Sequence, residues 1–136
     1  RKQMKELLFA AFCLAVTLPA IATDESKEKP IQHLKVLEVT SMKEAKEIFI
    51  DKTSEIRSKD QLDPSALSQV HILTYSLEKS VAYFVENLND ERQVQAKELA
   101  VVVEDIHLSS ENSRAADTEK HLAKYFNLAD KFIAGF

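Results

Sequence analysis

Between Leu67 and Leu88 the residues Leu67, Val70, Thr74, Leu77, Val81, Phe84 and Leu88 recur in steps of three and four. A stripe of that period, held over three heptads, suits one face of a helix and no other regular structure. It also demands partners, because a helix with one apolar face has to bury it against other elements. The only glycine of the whole chain is Gly135. Tight hairpins and phosphate-cradling loops need glycine where φ is positive or the backbone crowds a ligand. A P-loop, a dinucleotide-binding fold and a rich β-architecture are therefore excluded.

The same reading extends along the chain. "SMKE", 41–44, has the form of a capping box, with Ser41 accepting from the amide three residues on and Glu44 reaching back. The first helix is expected from there to about Lys59, with Ala45, Ile48, Phe49, Lys52 and Ile56 near one side. "DQLDPS" ends it; Asp63 suits an N-cap and Pro64 the first helical position of the next. "NLND", 87–90, turns the chain into a third helix reaching about Glu111. That helix keeps Ala96, Leu99, Val103, Ile106 and Ser110 in step, and Val101 and Val102 are expected to widen its apolar face. After the polar break "SSENSRAAD", a fourth helix carries Leu122, Tyr125, Phe126, Ala129, Phe132 and Ile133. The expected fold is all-α, an antiparallel up-down four-helix bundle over residues 41–136. The alternative is a three-helix core with the first helix detached or swapped.

The start of the chain reads as an address. Arg1, Lys2 and Lys5 precede the apolar run Leu7–Leu18, and "PAIA" places Ala20 and Ala22 at the small-residue positions of a cleavage site. A twelve-residue run is too short to span a bilayer, which takes about 20 residues. Residues 1–22 are thus expected to be a signal peptide, with Met4 the expected start and cleavage before Thr23. Cys13 follows Phe12 inside the run, where lipidation does not occur. Residues 23–40 form a charged tether and an N-terminal arm. The mature product is expected to be periplasmic or secreted, without a membrane span.

Cleavage would leave 114 of 136 residues, one domain in size, with no cysteine. Disulfides and thiol chemistry are then excluded. Losing Arg1, Lys2, Lys5 and Glu6 leaves fifteen basic and twenty-one acidic residues, a net charge of −6. An acidic chain without a basic stripe is a poor partner for nucleic acid.

One polar group interrupts the long stripe. With Leu67, Thr74 and Val81 at heptad position a, His71 and Glu78 fall at e; on the third helix His107 also falls at e. In an antiparallel pair, e faces e. Residues 71 and 107 each lie eighteen positions from residue 89 at the turn, so at ~1.5 Å per residue they share a level ~27 Å away. Tyr75 is one turn from His71, and Glu104 and Glu111 are one turn from His107. Imidazoles and carboxylates at one height are what a metal ion uses, with His71, His107 and Glu111 as candidate ligands and Tyr75, Glu78 and Glu104 as the border.

The other cofactor readings are thinner. "EDIH", 104–107, matches the Glu-x-x-His half-motif of di-iron bundles, but His121 has Thr118 at i−3 and supplies no second copy. Haem would have to bind non-covalently through His71 or His107, because Met42 and His121 belong to different levels and no Cys-x-x-Cys-His exists. His33 and His121 are expected to be solvated. No Gly-x-Ser-x-Gly elbow is present, and no catalytic role is expected. The plainer reading is that the histidines, tyrosine and glutamates satisfy one another at the border of the core.

"HILTYSLE", followed about thirty residues later by "EDIHLSSE", resembles an uncharacterised family of small exported helical proteins of Gram-negative bacteria. His71, Thr74, Tyr75, Leu77 and Glu78, then Glu104, His107, Ser110 and Glu111, carry the resemblance, with "LDP" at 62–64 and the mature length. Residues 31–50 match less clearly. The resemblance implies export and an all-helical fold and brings no activity with it. Two functional classes follow from the sequence. One is a non-enzymatic binding or interaction protein, an adaptor or a holdase with a protein partner. The other is a small metal- or haem-binding bundle.

Overall fold

The computed structural model describes residues 38–136. The expected signal peptide, the tether, His33 and most of the N-terminal arm lie outside the described residues. Four helices follow: α1 (Met42–Arg57), α2 (Pro64–Asn87), α3 (Asp90–Glu111) and α4 (Ala115–Ile133). Among the described residues there is no strand. None of these helices is long and apolar enough to cross a membrane.

Local chemistry sets the boundaries. Ser41 Oγ accepts from the Glu44 amide at 3.1 Å, as the capping box requires. The return arm differs from expectation, since Glu44 Oε2 takes the Thr40 amide (3.0 Å) and the Thr40 hydroxyl (3.1 Å). Asp63 caps α2 by accepting from the Ala66 amide at 2.8 Å, with Pro64 in the first turn, where a missing N–H costs nothing. The end of α3 is a Schellman motif. The Arg114 amide bonds Ser109 O (2.9 Å) and the Ser113 amide bonds Ser110 O (3.1 Å). Ser113 has φ 56°, a left-handed conformation that glycine would adopt without steric cost. The other left-handed residue is Asp90, φ 50°, at the tight α2–α3 turn.

Every residue of the α2 stripe from Leu67 to Phe84 is buried, and Leu88 is partly buried. On α3, Ala96, Leu99, Val103, Ile106 and Ser110 are buried, as are Leu122, Tyr125, Ala129 and Phe132 on α4. α1 contributes Ala45, Phe49, Thr53 and Ile56 to the same core, so it is a full member of it and not a detached helix. Val101 is the correction: it is 60% exposed, while Val102 is buried. In the α3 heptad Val101 falls at f, on the back of the helix, and Val102 at g.

Position g decides how the core is completed. Leu73 and Ser80 on α2, and Val102 and Ser109 on α3, are all buried at g. The two outer helices cover that flank. Ser80 Oγ donates to Ala45 O on α1 at 2.7 Å, and Thr118 Oγ1 on α4 donates to Ser109 Oγ at 2.9 Å. Small hydroxyl side chains let the helices approach closely while keeping every polar atom bonded. Among the described residues, no buried side-chain nitrogen or oxygen lacks a partner.

Side chains of different helices meet at defined levels. On α1 and α4, Phe49 meets Phe132 (5.7 Å between ring centroids) and Thr53 meets Tyr125 (2.7 Å). On α2 and α3, Val85 O accepts from Gln93 Nε2 at 2.9 Å. On α3 and α4, the Arg92 guanidinium donates to Phe132 O at 2.9 Å and lies 4.1 Å from the Phe132 ring. Phe49, Phe84, Phe132 and Phe136 pack edge to face or tilted at that end of the helices.

Candidate functional site

The e flank of the α2–α3 hairpin lies across the seam from the g flank, which carries the Ser80–Ala45 and Ser109–Thr118 contacts. His71 and Glu78 from α2 and His107 from α3 stand on it, partly buried against the seam. Their height follows from the spacing about the turn, and their direction from the buried a and d residues beside them.

The two imidazoles meet, with ring centroids 4.9 Å apart and planes at 75°. The Tyr75 ring lies 5.2 Å from each of them. Its hydroxyl is 3.2 Å from His71 Nε2. His107 is the centre of the group, with only 15% of its side chain exposed. Its Nδ1 lies 2.7 Å from Glu78 Oε1 across the hairpin, and its Nε2 lies 3.7 Å from Glu111 Oε2 on its own helix. The cluster thus has one short cross-helix bond and one longer, adjustable contact.

Two trios have ligand atoms within 4.8 Å of one another: His71, His107 and Glu111, and Glu78, Glu104 and His107. These five residues, with Tyr75 beside the two imidazoles, are the six singled out from the sequence. His121 belongs to neither trio. Thr74 has a part that its place in the apolar seam concealed. Its hydroxyl donates to His71 O at 2.5 Å and lies 3.4 Å from His107 Nδ1. The signal available was a threonine in a stripe of otherwise aliphatic and aromatic residues.

A separate open groove of about 590 Å³ runs between the end of α1, residues 58–62 and the start of α4. Ile56, Leu62, Leu122 and Phe126 line it, with Arg57 and Lys59 alongside. Among the described residues its lining has no histidine or methionine, and so no axial haem ligand of those types. The histidine flank has the opposite character. It supplies nitrogen and carboxylate ligands.

The chain belongs to a family of unknown function (DUF6746), whose model matches residues 2–134. No curated protein and no solved structure matches it.

Proposed function

We propose that this member of the family is an exported, non-enzymatic, antiparallel up-down four-helix bundle that binds a divalent transition-metal ion on its α2–α3 flank. The observation that carries the reading is the trio His71, His107 and Glu111, drawn from two helices with ligand atoms within 4.8 Å. Tetrahedral zinc with bonds of about 2.0–2.1 Å holds its ligand atoms about 3.3 Å apart. Side-chain movement of up to about 1.5 Å closes the difference, and the Glu111 carboxylate, 50% exposed, has room to make it.

The ligand set argues for the class of ion. Two imidazoles and a carboxylate suit zinc(II) or copper(II); copper(I) prefers thiolate or thioether ligands, which this flank lacks. Three protein ligands leave a coordination position open. An ion held in that way on a surface exchanges readily, which fits carriage or buffering better than a structural role. The α1–α4 contacts, Phe49 with Phe132 and Thr53 with Tyr125, support the up-down arrangement. The basic start, the apolar run and the A-x-A ending support export.

A second reading keeps the same residues without an ion. The Glu78–His107 and Tyr75–His71 contacts already satisfy these groups, as the border of a protein-binding surface would need. Calorimetric titration of the purified mature protein with zinc or copper(II) separates the two. One ion per chain is expected, with binding that weakens on acidification because ligand imidazoles must be neutral. The double replacement His71→Ala, His107→Ala is expected to abolish binding while leaving helical circular dichroism intact. Wild-type protein that binds neither ion, or a double variant that binds as well, overturns the metal reading.

A further inference from the structure

We infer that Glu78 is a positioning residue, which holds His107 as the Nδ1–H tautomer and so presents Nε2 to Glu111. The use of that nitrogen for a metal rests on the metal reading above; the tautomer itself does not. An ionised carboxylate can only accept hydrogen bonds. Glu78 Oε1 lies 2.7 Å from His107 Nδ1, a distance typical of a charge-assisted N–H···O bond. The proton of the neutral ring therefore sits on Nδ1. The lone pair is left on Nε2, the atom that faces Glu111 Oε2.

This decides between two overlapping ligand sets. Both trios use His107, but through different needs. Glu78, Glu104 and His107 could close on an ion through Nδ1 only by giving up the short bond to Glu78 and moving the ring proton. In the other set His107 meets Glu111 through Nε2, a contact that needs nothing from Nδ1. The cross-helix bond thus selects the second set and makes Glu78 an outer-shell carboxylate behind a ligand histidine. It also pins α2 and α3 together at that height. The groups around His107 that could compete are His71, Thr74, Tyr75 and Glu78 from α2, and Glu104 and Glu111 from α3. Of these, Glu78 makes the shortest contact with either ring nitrogen.

Nitrogen NMR of the imidazoles in metal-free protein, in alkaline buffer, reads the tautomer directly. The Nδ1–H form of His107 is expected in wild type and in Glu78→Gln, whose amide oxygen still accepts. A shift toward the Nε2–H form is expected in Glu78→Leu. Zinc titration gives the second readout. Glu78→Leu is expected to lose about 10- to 100-fold in affinity, the usual cost of removing an outer-shell partner. Glu78→Gln is expected to recover most of that loss, and Glu104→Gln to bind as wild type does. A dominant Nε2–H tautomer in wild type overturns the inference. Two zinc ions per chain, or a Glu104→Gln loss as large as that of Glu78→Leu, overturns the choice of trio. Wild type that binds no zinc overturns the metal reading alone, because the tautomer is measured without metal.

Discussion

Tyr125 is fully buried, with its hydroxyl 2.7 Å from Thr53 Oγ1. Burial, opposed by the Thr53 hydrogen bond and by Arg57, drives its acidity far weaker than that of an ordinary tyrosine. In the unfolded chain the phenol ionises near its usual value of about 10. Above that pH the unfolded state sheds a proton that the folded state keeps, so stability is complete below it and falls as pH rises beyond it. Tyr125→Phe is expected to lose about 1–2 kcal/mol at neutral pH, because one hydrogen bond goes and Thr53 is left short of a partner. It is also expected to flatten the alkaline fall. Urea unfolding of both proteins at neutral and alkaline pH measures the two effects together. The sequence placed Tyr125 on the inner face of α4, but its partner could not be read, because Thr53 lies seventy-two residues away on another helix.

At the scale of the helix, periodicity carries most of the information. The α2 stripe named its buried residues one by one, since step and burial are the same fact for a helix on a core. Leu77→Ala is expected to cost about 2–5 kcal/mol, and the exposed Lys79→Ala less than about 0.5. Thermal melts that fall together would show the seam to be misassigned. Position g was legible at Val102 but not at the serines. Ser80 and Ser109 are small and polar, and their burial depends on which side the outer helices choose. The same choice turns Val101 outward in a run of three valines whose composition says only that some of them are inside. The α3–α4 connection offers a different test. Ser113 sits in the left-handed region with Schellman bonds on either side, so Ser113→Gly relieves a steric cost. A gain of about 0.5–1 kcal/mol is expected in denaturant midpoints, net of glycine's greater freedom in the unfolded chain.

For the whole molecule, helix number and order were legible because each boundary has a local chemical cause: Ser41, Asp63 with Pro64, and the polar breaks at 87–90 and 109–117. The meeting of His71 with His107 was legible as well, because a short turn fixes the register of a helical pair. The short bond from Glu78 was not, because heptad position gives height and side but not which carboxylate a ring nitrogen chooses. Export belongs to this scale too. Protein made with its leader is expected in the periplasm or medium with Thr23 at its start, by intact mass, and a product that keeps Leu7–Leu18 would refute it.

One flank of the α2–α3 hairpin carries the hydrogen bonds to the outer helices and the other carries the histidines. The first answers to folding; the second is, among the described residues, partly open. A lineage carrying this fold can therefore gain, exchange or lose the histidines at little cost to the shape it inherits. Chains of the family that lack them are expected to fold alike and to have taken up different work.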